Sequence, residues 1–91
     1  MAKPYKPYRH RQSGIVFRFA YDEADPSLLH IYARHLTTPD DAVRTFFLGK
    51  TTWDENLRRF ETRTDTHLLT WFWVRPRRIV QVLSCMEDFA P

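Results

Sequence analysis

The run His67-Leu68-Leu69-Thr70-Trp71-Phe72-Trp73-Val74 is apolar at odd and even positions alike. A strand with that pattern hides both faces, so the segment reads as the central strand of a sheet that helices or a partner must cover. Extended pattern flanks it on both sides, at about residues 53 to 63 and 77 to 85. The polar connections Thr64-Asp65-Thr66 and Arg75-Pro76 are short enough for hairpins. The expectation is an antiparallel meander of three strands. Upstream of it the apolar period lengthens. Thr38-Pro39-Asp40-Asp41 is a helix start with acids in the first turn, Ala42, Val43, Phe46 and Phe47 make a core-facing patch, and Gly49 ends the helix. Asp25-Pro26 carries the same signal, and Leu28, Ile31, Tyr32 and Leu36 then form a stripe, which predicts a first helix over about 26 to 36. Ile15 to Tyr21 alternates Phe17, Phe19 and Tyr21 against its other positions and predicts a half-buried strand. The predicted fold is thus α+β: an N-terminal strand, two helices, then the three-stranded meander.

Ninety-one residues, 43% of them hydrophobic, suit one core and one domain, expected over 14–91 after a basic N-terminal arm at 1–13. The longest apolar runs fall far short of the roughly 20 residues that cross a bilayer, and no export signal is visible, so a cytoplasmic protein without membrane contact is expected. The single cysteine, Cys85, excludes an intrachain disulfide and a thiolate zinc site. His10, His30, His35 and His67 lack the paired spacings of zinc ligands, and with Gly14 and Gly49 as the only glycines there is no phosphate loop or dinucleotide fingerprint. No metal and no cofactor is expected.

The net charge of +3 is unevenly spread. Lys3, Lys6, Arg9 and Arg11 meet no acid within residues 1–13, whereas residues 22–41 hold five acids against Arg34 alone. Pro4 and Pro7 alternate with Tyr5 and Tyr8, which favours an extended segment bearing cations and stackable rings, suited to lie along a nucleic acid. A frayed, solubilising terminus is the competing reading. Trp53, beside Asp54 and Glu55, is the aromatic expected to stay exposed for a base, while Trp71 and Trp73, alternating with Phe72, are expected in the core, with a base-stacking platform on one of the two faces as the alternative.

Arg59, Glu61 and Arg63 alternate along one predicted strand and share a face at about 7 Å spacing. Two guanidiniums can hold a phosphodiester and stabilise a pentavalent phosphorus, and a carboxylate between them can accept the 2′-hydroxyl proton. His35 is the expected acid for the 5′-oxygen, with Arg34 adding positive potential. The chemistry requires the arginines and the imidazole on one side of the molecule. The plainer alternative is a solvated face in which Glu61 pairs with its neighbours.

Tyr21-Asp22-Glu23, Arg34-His35-Leu36-Thr37-Thr38-Pro39-Asp40-Asp41-Ala42 and Phe46-Phe47 together resemble the BrnT family of small bacterial toxins, whose usual pattern is Trp-Asp-Glu, Lys-His-Gly, a short acidic helix start, Ala and Phe-Phe. Arg59-Phe60 and Val82-Leu83-Ser84-Cys85 extend the resemblance over about residues 15 to 86. It implies a fold like that of the RelE and ParE superfamily, metal-independent ribonuclease activity that halts translation, and an antitoxin with a ribbon-helix-helix DNA-binding domain. Leu36 stands where the family has Gly, and Gln81 and Met86 stand where it has basic residues on the last strand, so the implied activity rests on Arg34, His35, Arg59 and Arg63. A non-catalytic nucleic-acid- or protein-binding module is the second expectation.

Overall fold

A computed structural model describes residues 5–75 and 78–89. It contains β1 (Tyr5–Arg9), β2 (Val16–Ala20), α1 (His30–His35), α2 (Pro39–Leu48), β3 (Lys50–Asp54), β4 (Arg59–Arg63), β5 (His67–Val74) and β6 (Ile79–Glu87). The strands form a single mixed sheet of six in the order β1-β2-β6-β5-β4-β3, with β2 parallel to β6 and all other neighbours antiparallel. This corrects the expected strand, two helices and three-stranded meander.

Three local causes account for the difference. The extended stretch at 53 to 63 is two strands, because Glu55 to Arg58 turn the chain back and Arg58 takes a left-handed φ of 53°. Leu57 N–H donates to Asp54 Oδ1 at 3.0 Å across that turn. The basic N-terminal segment is extended as expected, yet its residues 5–9 are hydrogen-bonded to β2 as an edge strand, where Pro7 is tolerated because one side of an edge needs no N–H. Helix α1 begins at His30, four residues later than Asp25-Pro26 suggested. Asp25 instead accepts from Ser27 and Leu28 in a turn, so its side chain caps no helix. Pro76 of the turn expected at Arg75-Pro76, and Lys3 of the expected basic contacts, lie outside the described residues.

Helix α2 follows its sequence signals closely. Thr38 Oγ1 accepts from Asp41 N–H at 3.3 Å and the Asp41 carboxylate accepts from Thr38 N–H at 2.9 Å, a reciprocal capping box with Pro39 at the first helical position. Its end is set by space. A Cβ on Gly49 would lie 2.8 Å from both Arg63 O and Thr45 O, so only glycine lets the helix end meet β4.

Both helices lie on the same face of the sheet. Phe17 and Phe19 of β2, Val80, Val82 and Cys85 of β6, and Leu69 and Trp71 of β5 close over Ile31, Ala42 and Val43 to form the core. Phe46 packs on Trp71 at 4.9 Å, and Trp71 stacks on Phe60 at 4.6 Å. A bulge keeps β6 facing inward: the register passes from Thr70–Ser84 to Trp71–Val82, leaving Leu83 unpaired, so Val82 and Cys85 both point to the helices despite their odd spacing. Thr37 Oγ1 donates to Cys85 O at 2.6 Å and ties the α1–α2 connection to β6.

Candidate nucleic-acid interface

The opposite face of the sheet has no helix over it among the described residues. Its occupants follow from register. Phe60 opposes Trp71 and Thr62 opposes Leu69, all on the helix side, so Arg59, Glu61 and Arg63 project from the bare side, as do Thr70, Phe72, Gln81 and Arg18. The shared face expected for Arg59, Glu61 and Arg63 is therefore observed. Arg59 Nη2 lies 3.3 Å from Glu61 Oε2, with each side chain 29% exposed. Arg59 Nε is buried and has no hydrogen-bond partner among the described residues. Arg63 Nη1 donates to Asp88 at 2.6 Å.

His35 and Arg34 are elsewhere. Both belong to α1, which packs against β2 and β6 from the helix side, so the sheet stands between them and the Arg59–Glu61–Arg63 row. The expected use of His35 as acid and Arg34 as auxiliary cation at that row is corrected on this ground: alternation within β4 fixes which residues share a face, and the packing of Phe60 and Thr62 under the helices decides that it is the other face. Arg34 and His30 meet Asp22 instead. Asp22 is 4% exposed, its Oδ2 accepts from Ala24 and Asp25 N–H, and its Oδ1 lies 3.3 Å from His30 Nδ1 and 3.4 Å from Arg34 Nε. Burial pushes the Asp22 carboxyl up, but the Asp25 and Ala24 N–H groups, His30 and the charge of Arg34 outweigh it and hold the group below the ordinary 3.8. This cluster joins the end of β2 to α1.

The other expected contacts divide as well. Arg9 is on the bare face, because its register partner is Val16, and Arg11 lies in the β1–β2 turn. Lys6 and Trp53 face the helix side, opposite Phe19 and Phe60 respectively. Trp53 is exposed as expected, at 45%, yet its indole N–H donates to Glu55 and its ring leans on Phe60 at 4.7 Å. Lys50 opposes Arg63 directly, and both line a cleft of about 880 Å³ that also takes in Arg44 and the β4–β5 turn.

Sequence reasoning passed over Arg18. Gln81 Oε1 accepts from Arg18 Nε at 3.0 Å, and the Arg18 guanidinium lies over the Tyr5 ring at 4.5 Å. Arg18 thus stands on the strand adjacent to Gln81 and is held by its amide. The usable signal was Arg18 alone between Phe17 and Phe19: a charge between two inward rings must point away from them. The described residues bring no three His, Cys, Asp or Glu together in a metal-binding group, and none of their helices is long and apolar enough to cross a membrane. Comparison of the chain with family models, with curated proteins and with solved structures returns no match.

Proposed function

We propose that the chain acts on RNA, holding the ribose-phosphate backbone on the bare face of its sheet as the toxin half of a bacterial toxin–antitoxin pair in the cytoplasm. The observation that carries this reading is the gathering of Arg18, Arg59 and Arg63 on one face with no helix over it among the described residues, with 29% of the Arg59 side chain and 49% of the Arg63 side chain open to solvent. The exposed parts of these guanidiniums can donate to phosphate oxygens. Glu61 is the group beside it able to take the 2′-hydroxyl proton. The 2′-oxygen then attacks phosphorus, the bond to the 5′-oxygen breaks, and water protonates the leaving alkoxide. The products are a 2′,3′-cyclic phosphate and a 5′-hydroxyl. Arg59 stabilises the charge on the pentavalent phosphorus, and Arg63 holds the neighbouring phosphate. The scheme uses no metal. A ribbon-helix-helix antitoxin is the partner that would silence this face by covering it.

One observation favours a second reading, binding without scission: the sheet separates His35 from the arginine row, so no histidine on α1 serves the leaving group. A single experiment distinguishes the two. Purified protein is incubated with a defined RNA and the ends of any fragments are identified. Cyclic phosphate ends that vanish with Arg59→Ala and with Glu61→Gln support the toxin nuclease. Binding without fragments supports the module. Full cleavage by both variants rejects the face as the site. Inducible expression that neither slows growth nor is relieved by a neighbouring open reading frame removes the toxin reading.

A further inference from the structure

Three aromatic residues follow one another in β5, and the sheet sends them in opposite directions. Trp71 and Trp73 turn to the helices, where they meet each other at 5.1 Å and Phe46 at 4.9 and 6.3 Å. Phe72 turns the other way, half-buried, with no ring against it among the described residues. Register places it in a row across the bare face. Phe72 opposes Gln81, which opposes Arg18, and on the other side Arg59 is its neighbour because Phe60 opposes Trp71. The row therefore reads Arg18, Gln81, Phe72, Arg59. Three strand spacings separate the arginines, about 14 Å. A planar ring laid on Phe72 would have a guanidinium to either side.

We infer that Phe72 is a base-stacking residue and that with Arg59 it forms a nucleotide subsite, the base lying on the ring and an oxygen acceptor on the exposed part of the Arg59 guanidinium. This rests on the proposal that the face binds RNA, and it adds what that proposal lacks: a reason for single-stranded RNA over any polyanion. The charge of the face draws a phosphate chain of any kind. A phenyl ring at its middle selects chains whose bases are unstacked and free to lie down. Gln81 does not read the base. Its Oε1 is taken by Arg18 Nε, and its Nε2 is directed to Arg18 O at 3.3 Å and Val82 O at 3.4 Å, so the amide positions Arg18. With no free polar group of Gln81 facing the base, the subsite accepts all four bases, because every base offers a flat π surface.

The test measures binding by fluorescence anisotropy to a labelled 2′-O-methyl RNA hexamer, which resists cleavage, and to an abasic hexamer of the same charge. The wild type, Phe72→Ala, Phe72→Leu and Arg59→Ala proteins are compared after their folding is checked by circular dichroism. The expected result is a loss of about tenfold in affinity for the base-bearing hexamer with both Phe72 variants, and none for the abasic one. Leucine keeps the apolar bulk without the ring, so its loss is that of stacking and not of folding. Arg59→Ala should weaken both ligands alike. Equal binding of the wild type and Phe72→Leu to the base-bearing hexamer overturns the subsite and leaves the RNA proposal standing. A wild type that binds neither hexamer overturns the RNA proposal itself. Tighter binding to a polyglutamate peptide than to the RNA overturns both and gives the face to an acidic protein.

Discussion

On the helix side of the sheet Phe17, Leu69, Val80 and Cys85 are completely hidden, whereas on the other side Arg59 and Glu61 each keep 29% of their surface. The same strands supply both faces. What differs is the cover: α1 and α2 press on β2, β4, β5 and β6 from one side only. A half-covered sheet of this kind divides its labour. Apolar residues at alternate positions hold the fold, and the positions between them carry polar and charged groups, of which Thr70 and Gln81 are themselves buried and Arg59 is partly exposed. The strongest check of that division pairs two adjacent residues of β5. Trp71→Ala removes a ring that stacks on Phe60, meets Phe46 edge-on and donates to Thr62 at 2.8 Å, and it should cost about 3–5 kcal/mol in urea unfolding. Phe72→Ala, one position along on the bare face, should cost about 1–2 kcal/mol. Equal losses would mean that the second face is also a core.

The division was legible where it is written in neighbouring residues and illegible where packing decides it. The place of β5 inside the sheet shows as missing alternation, and α2 shows as a capping box, a proline and a terminal glycine. The β3–β4 hairpin does not show, because its turn, Glu55-Asn56-Leu57-Arg58, has no glycine and gives the left-handed position to Arg58. Strand β1 hides behind Pro7, whose tolerance depends on its place at an edge. The row Arg59, Glu61, Arg63 follows from a period of two. Its separation from His35 does not, since nothing in β4 itself says on which side the helices will lie. Asp22 is missed for the same reason: eight residues separate it from His30 in the chain, and the pair exists only because β2 ends where α1 begins.

The next comparison is between the two ends of α2. At its C-terminal end the backbone approaches β4 too closely for any side chain. Gly49→Ala should cost about 1–3 kcal/mol, since the obstacles are carbonyl oxygens as well as the Thr62 methyl, and backbone yields less than a side chain. At the other end Thr38→Ala breaks one half of the capping box and should cost about 1 kcal/mol. That end also carries a pH signature. Burial pushes the Asp41 carboxyl up, but hydrogen bonds from Thr38 and the charges of His67 and Arg44 prevail and hold it below 3.8. A depressed carboxyl stabilises the fold fully above its unfolded value and loses that contribution as pH falls through the lower, folded one, because the unfolded chain then binds protons more readily. Asp22 behaves in the same sense. Acid titration followed by circular dichroism should show stability flat near neutrality and falling below about pH 4, with a shallower fall in Thr38→Ala. A fall that begins above pH 6 would implicate the histidines instead.

Cys85 gives a chemical version of the same contrast. Burial pushes its thiol up to about 11, opposed by the Thr37 hydroxyl and helped by Asp41. Native protein at pH 8 should therefore leave Cys85 unmodified by a thiolate-selective reagent, and labelling should track unfolding. Rapid native labelling would show that the helix side opens more often than its packing implies.

The smallest expected change in stability is on the bare face, and it is also the one that isolates function from fold. Arg63 and Asp88 are 49% and 43% exposed, and a pair so wet contributes little, so Arg63→Gln should alter the unfolding free energy by no more than about 0.5 kcal/mol. Lys50 directly opposite is a like charge, which reduces the loss further. If the face binds an RNA backbone, the same substitution removes one phosphate contact, and the slope of affinity against salt concentration should fall by about one unit. The two measurements move independently: a residue that holds the fold shifts the first, and a residue kept for a polyanion shifts the second. An Arg63→Gln protein with an unchanged salt slope and a loss of 2 kcal/mol or more in stability would place Arg63 among the residues that build the sheet, and the contrast between its faces would end at β4.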